Sequence, residues 1–284
     1  MMDRNTLTAL LLITLVLILT PYYMEMVSPP TPILEEFVDE GLKQNSQPVE
    51  YREYESILNK DSELITPPET KKETTIKIEN DLYIATISSV CGGSIKSFEI
   101  KKHLKHDSGF VNLVTPDNIK NLLVGFKDFN GNQIQLDEGW VLQSNADNYY
   151  IDAAKPITYT NTINNRVITK VLTFYPDRFL IDIDVDITAL ANNTLANNYT
   201  LTWLGGIPPT EKDSVTESTY FYSYIYQGGE LLDVKVSQGE TFSNDYKGQT
   251  DWIATRSKYF VTCLLDDSRD QFGGSTITAS YADK

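Results

Sequence analysis

Residues 157–187 read ITYTNTINNRVITKVLTFYPDRFLIDIDVDI, and the fold class turns on how their apolar side chains are spaced. From Ile157 to Thr162, from Arg166 to Phe174 and from Phe179 to Ile187 the period is two, the repeat of a half-buried strand. Asn164-Asn165 and Pro176-Asp177 separate the runs, and both dipeptides carry turn chemistry. The same rhythm extends outward. Upstream lie Asp81–Ser89 (DLYIATISS), a Gly92-Gly93 turn, SIKSFEIKKH, and Phe126–Leu136 with Asn130-Gly131 as a hairpin signal. Downstream lie Asn198–Leu204, Tyr220–Tyr226, Leu231–Val236, Trp252–Ala254, Tyr259–Leu265 and Ser275–Tyr281. No long segment carries a helical stripe, and no fixed-period repeat points to a propeller or solenoid. The predicted class is all-β, an antiparallel sandwich. The 17 Tyr and 11 Phe suit it, because aromatic side chains pack well on half-buried sheets.

The chain has 284 residues, enough to bury a core without a disulfide or metal staple. Its 39 Asp and Glu outweigh 24 Lys and Arg, for a formal charge of −15. Such a field repels a phosphate backbone, which excludes nucleic acid as a partner. Two cysteines and two histidines leave little material for a zinc site. Asn5–Met24 is uncharged and centres on LTALLLITLVLIL (Leu7–Leu19), about 30 Å of helix and so the thickness of a hydrocarbon core. A cleaved signal peptide has the same apolar middle. The TPYYMEM that follows Leu19, however, has no small-x-small cleavage site, and Tyr22 and Tyr23 suit a membrane interface. The expectation is a transmembrane anchor over residues 1–24. Arg4 precedes it and the next basic residue after it is Lys43, so the positive-inside rule places the N-terminus in the cytoplasm and the remainder across the membrane. Residues 25–75 carry twelve acids against five bases, with six prolines. That composition stays extended and reads as an acidic linker. The β body then occupies residues 76–284.

Candidate chemistry is sparse. Asp182, Asp184 and Asp186 line one face of a strand, but neighbours two apart start roughly 6.6 Å from one another, too far to grip one cation without bending. They read as a solvated acidic face. His103 and His106 share the lysine-rich KKHLKH and read as an exposed loop or strand end. Cys91 and Cys263 could pair in an exported domain or could be two buried thiols, and the apolar run YFVTCLL around Cys263 favours the second. The Gly-Gly pairs at 92–93, 205–206, 228–229 and 273–274 read as turns with positive φ. No nucleophile elbow, P-loop or dinucleotide fingerprint occurs. No catalytic, cofactor-binding or metal-ligating set is assigned.

One order of features is distinctive. An anchor and a spacer lead into ISSVCGGSIKSFEIKKH. Much later come WLGGIPPTEKDSVTESTYFYSYIYQGGELLDV and WIATRSKYFVTCLL. This order resembles the N-terminal half of the YidC-type membrane protein insertases of Gram-negative bacteria. Trp252-Ile253-Ala254 with Lys258-Tyr259-Phe260 is similar to that family's W-[IV]-A…[KQ]-Y-F segment. The Gly92-Gly93 turn and KVLTFYPDRFLIDIDVDI resemble its first large periplasmic domain.

The resemblance implies a β-supersandwich, related to galactose mutarotases, held in the periplasm by one span of the inner membrane. It implies no enzyme activity and no cofactor. The implied partners are nascent membrane proteins, Sec translocon subunits and membrane lipid. Later transmembrane helices perform insertion in that family. This chain ends at Lys284 before any second hydrophobic span, so the expectation is a truncated product or a fragment with an incomplete periplasmic domain. Two other functions are weighed. A mutarotase-like sugar-active enzyme needs a histidine and a carboxylate facing one ring. An anchored glycan- or peptide-binding module would use exposed aromatics such as Trp203 or Tyr226, although core packing explains Trp140, Trp203 and Trp252 as well.

Overall fold

A computed structural model describes residues 14, 15, 19, 65, 68–106, 109–115, 120–192, 194–267 and 273–280. The chain divides into two units, Met1–Glu55 and Ser56–Lys284, and nearly all described residues belong to the second. The anchor expected over residues 1–24 lies outside the described residues, apart from the helical Thr14, Leu15 and Leu19. Among the described residues no helix is long and apolar enough to cross a membrane. Most of the linker expected over 25–75 also lies outside them. Within its last part, Ile65 joins the hydrophobic core and Glu73 pairs with Lys96 at 2.8 Å.

The body is all-β. Its strands are β1 (Thr75–Glu79), β2 (Tyr83–Ser88), β3 (Ser94–Leu104), β4 (Phe110–Asn112), β5 (Leu123–Asp128), β6 (Gln133–Gln135), β7 (Val141–Leu142), β8 (Asn148–Tyr150), β9 (Lys155–Ile163), β10 (Arg166–Phe174), β11 (Ile181–Asp186) and β12 (Thr194–Thr202). One short helix, α1 (Ser214–Ser218), then leads into β13 (Tyr222–Gln227), β14 (Glu230–Val234), β15 (Thr241–Lys247), β16 (Thr250–Arg256), β17 (Val261–Leu265) and β18 (Gly274–Ser280). They form sheets in the orders β4-β3-β2-β1-β8, β11-β10-β9-β7, β12-β5-β6 and β14-β13-β16-β17, with a β15-β18 ribbon.

The turns form where the turn residues stand. Asn164 and Asn165 take φ of 48° and 60° between β9 and β10, the left-handed pair that a two-residue hairpin needs. Asp128 Oδ1 accepts from the backbone of Asn130 (2.9 Å) and Asn132 (2.8 Å), which shapes the β5–β6 turn at Gly131. Asn80 Oδ1 accepts from Leu82 and Tyr83, both at 2.9 Å, and closes the β1–β2 turn. The expectation of a purely antiparallel body needs one correction. β8 pairs with β1 in parallel, Lys77 opposite Asn148. The chain reaches β8 only after building six other strands, so it can lie along the free side of β1 in either direction.

Three sheets share one core. Ile78, Tyr83 and Ile87 of the first meet Val124 and Phe126 of the three-stranded sheet and Tyr159, Leu172 and Phe174 of β9 and β10. Lys170 lies in the same inward phase of β10 and is fully buried. Its Nζ donates to the carbonyls of Cys91 (3.0 Å) and Leu122, two residues that both take φ of 56°. Burial pushes the Lys170 pKa down to about 7. The neutral amine still has two N–H donors, one for each carbonyl.

Candidate functional site

A groove of about 940 Å³ opens where the sheets stop pairing. Its walls come from the end of β3, from β4, from Phe179–Ile181 and Ile183 of the β11 region, from Trp203 just after β12, and from Tyr259–Leu264. β4, β11 and β17 are each the last strand of their sheets. Leu104, Phe179, Leu180, Tyr259 and Val261 are exposed, so apolar surface is presented to solvent along a continuous trough.

One polar wall is built deliberately. Asp213 caps α1 by accepting from the Thr216 N–H at 3.0 Å. The helix carries Glu217, which is 1% exposed. Its carboxylate accepts from the Thr210 N–H (2.7 Å), the Thr210 hydroxyl (2.9 Å) and the Glu211 N–H (2.8 Å). These bonds fix Thr210 and Glu211 at the groove. Glu217→Ala strands these donors and should cost about 2–4 kcal/mol in urea unfolding; a loss under 0.5 kcal/mol would show that water replaces the carboxylate.

Both histidines reach the groove, a placement that their spacing did not reveal. His106 Nδ1 stands 3.4 Å from the Thr210 carbonyl. The His103 ring meets Phe260 edge-on at 5.6 Å. Glu211 shares the groove with them and is held by the Tyr259 hydroxyl (2.5 Å) and Lys258 (3.7 Å), which keep its carboxyl below the usual range. Lys102 and Lys105 flank the histidines. Among the described residues neither forms an ion pair.

The other singled-out residues lie elsewhere. Asp182 accepts from the Tyr175 hydroxyl, and Asp186 accepts from the Thr188 N–H (2.9 Å) and hydroxyl (2.6 Å). Among the described residues no three His, Cys, Asp or Glu are placed to hold a metal. Both cysteines are free. Cys91 is buried in the β2–β3 turn, but Cys263 is exposed on β17, because alternate residues of the apolar run face out of the last strand. Gly92, Gly93, Gly205, Gly228 and Gly229 take positive φ. Gly206, Gly273 and Gly274 do not, and Gly274 instead opens β18 as extended chain. Tyr226 stacks on Trp252 at 5.6 Å, and Tyr222 on Tyr224 at 5.9 Å. Rings stacked on each other offer few free faces to a sugar.

Comparison with known proteins turns on the extent of the β body. The family described as YidC periplasmic domain matches residues 75–282, from the first residue of β1 to two beyond β18. The chain belongs to the YidC periplasmic domain family. Its relatives bear the name membrane protein insertase YidC. That of Chlorobium luteolum is 28% identical over 285 residues, covering 94% of this chain and 47% of its own length. That of Chlorobaculum tepidum is 30% identical over 199 residues, covering 68% and 33%. That of Chlorobium limicola is 28% identical, covering 95% and 47%. The chain thus spans about half the length of the curated relatives it matches. In this YidC periplasmic domain the W-I-A strand and the K-Y-F segment are β16 and the lip of the groove.

Proposed function

We propose that the chain is the periplasmic part of a membrane protein insertase. It is tethered to the inner membrane by residues 1–24, spaced from it by the acidic linker of residues 25–75, and built over residues 76–284 as a β-supersandwich of the mutarotase type. In this reading it is a docking and chaperone module that works on nascent membrane proteins beside the Sec translocon, and it catalyses no covalent step. The family match over the whole β body carries the proposal, and the open apolar groove supports it. The −15 charge keeps such a module soluble at a membrane surface without drawing it to anionic lipid.

Two measurements test it. A reporter active only in the periplasm, fused after residue 80, should be active; a silent fusion rejects the topology. Depletion of the gene product should leave newly made inner-membrane proteins extractable by carbonate, and normal integration in depleted cells removes the insertase reading. His106 and Glu211 both line the groove, which favours a second reading, sugar turnover. Sustained mutarotation above background, lost in Glu211→Gln, would replace the proposal.

A further inference from the structure

The two acceptors of the buried Lys170 amine belong to separate turns: Cys91 between β2 and β3, and Leu122 at the entry to β5. Both residues carry side chains yet take φ of 56°, a left-handed backbone that an L-residue leaves unless its surroundings hold it there. The amine holds both by their carbonyls. The first turn is packed closely behind it, Gly92 against Trp140 and Gly93 against Leu172 and Tyr159. Leu122 lines the groove, so one side chain ties the β2–β3 turn to the groove wall.

The surroundings suit an amine and not an ammonium. An amine has two N–H donors and meets two carbonyls, whereas the third N–H of an ammonium has no acceptor among the described residues. No carboxylate answers the charge. β9 sets Tyr159 opposite Lys170, and β11 sets Val185 opposite it, with Asp184 and Asp186 on the exposed side. The β2–β3 turn brings the Cys91 thiol, which burial pushes up to about 12. Burial also raises the Tyr159 phenol, and it raises that of Tyr83 on β2 to about 12. All three groups are therefore neutral near pH 7. Lys120, before β5, and Asp137, after β6, pair with each other at 3.0 Å on the half-exposed surface.

We propose that Lys170 is a pH-dependent latch on the Cys91 and Leu122 turns: as a neutral amine it holds both closed, and a proton drives it toward water by opening them. This goes beyond the insertase reading and does not depend on it. In the closed turns the amine gives up its proton near 7, and in water it does so near its ordinary value of 10.5. Opening therefore becomes easier as the pH falls from 8.5 and levels off below 7, by about thirtyfold in all at pH 6.

Amide hydrogen exchange on the full 284-residue chain in lipid nanodiscs reads this residue by residue, each rate being divided by the unprotected rate at the same pH. The N–H groups of Cys91, Gly92, Gly93 and Asn121 are all hydrogen-bonded in the closed turns. Their protection should fall about thirtyfold from pH 8.5 to pH 6. They should exchange faster than the β9–β10 ladder at every pH, and dilute urea should speed the ladder alone, since a local opening exposes little surface. Lys170→Met should abolish the pH dependence. A second measurement leaves the lysine in place. In Cys263→Ser protein the Cys91 thiol is labelled with a dipyridyl disulfide, and its rate relative to the unfolded chain at the same pH should rise by the same factor. The latch is overturned if turn protection is flat with pH or if Lys170→Met keeps the dependence. It is also overturned if turn and ladder amides share one protection at each pH, which would mean that the amine meets water only when the whole body unfolds. Where Lys170→Met does not fold, the labelling decides, and a rate ratio that is flat with pH overturns the latch.

Discussion

Wild-type protein will gain stability relative to Lys170→Met as the pH rises from 6 to 8.5, by about 2 kcal/mol in urea unfolding. An unfolded lysine keeps its proton up to about 10.5, whereas the folded one gives it up near 7. Between those values the unfolded chain holds more protons, so stability rises with pH; below 7 both states are charged and the burial penalty is present in full. The Cys91 thiol faces the same site and is pushed up to about 12 by burial. It acts in the opposite sense only above its ordinary value of 9.0, so the window closes before it matters. The variant also loses the donors to the Cys91 and Leu122 carbonyls, and that loss is the same at every pH. Only the pH-dependent part of the difference reports the amine. A difference that stays flat from pH 6 to 8.5 would mean that Lys170 remains charged in the core.

Gly92→Ala will be among the most damaging single-atom additions to this protein, at about 3 kcal/mol or more. Gly92 has φ of +66°, and a Cβ there would lie 2.6 Å from Cδ2 of Trp140. Left-handed backbone costs an L-residue roughly 1–2 kcal/mol, and overpacking a fixed ring adds about 1–3. Trp140 cannot retreat, because it is 2% exposed and its Nε1 donates to the Leu136 carbonyl at 2.7 Å. Trp140→Leu alone should cost about 2–4 kcal/mol through the cavity it leaves. In that background Gly92→Ala should be cheaper by about 1–2 kcal/mol, the coupling expected of residues in contact. Additive losses would show that the strain lies in the backbone alone.

The β body was legible wherever a strand buries one face. Ile168, Leu172 and Phe174 announce β10 by their spacing, and Asn164-Asn165 announces the turn before it. Lys170 stands in that same inward phase, so the alternation itself marks the buried lysine; the habit of reading any lysine as solvent-facing hides it. β15 was not legible, because among the described residues TFSNDYK pairs only with β18 and is mostly exposed, leaving no apolar alternation to see. β8 is a three-residue NYY with the same difficulty. The groove escaped for another reason. KKHLKH and KYFVTCLL each read as an ordinary strand end, and nothing in either periodicity states that Thr210 comes to lie beside His106, a hundred residues earlier. Their meeting is set by where three sheets stop, a property of long-range packing that local pattern does not encode.

The parallel partnership of β1 has a mechanical consequence. β1 lies between β2, antiparallel, and β8, parallel, and the residues just before Thr75 are laced to its neighbours, with Thr74 N–H donating to Ser89 Oγ at 2.9 Å. Tension applied through those residues along the strand must shear two hydrogen-bonded ladders at once, whereas a strand at a sheet margin would peel away bond by bond. The strand that first takes up a pull from the N-terminal side is thus fastened along both flanks.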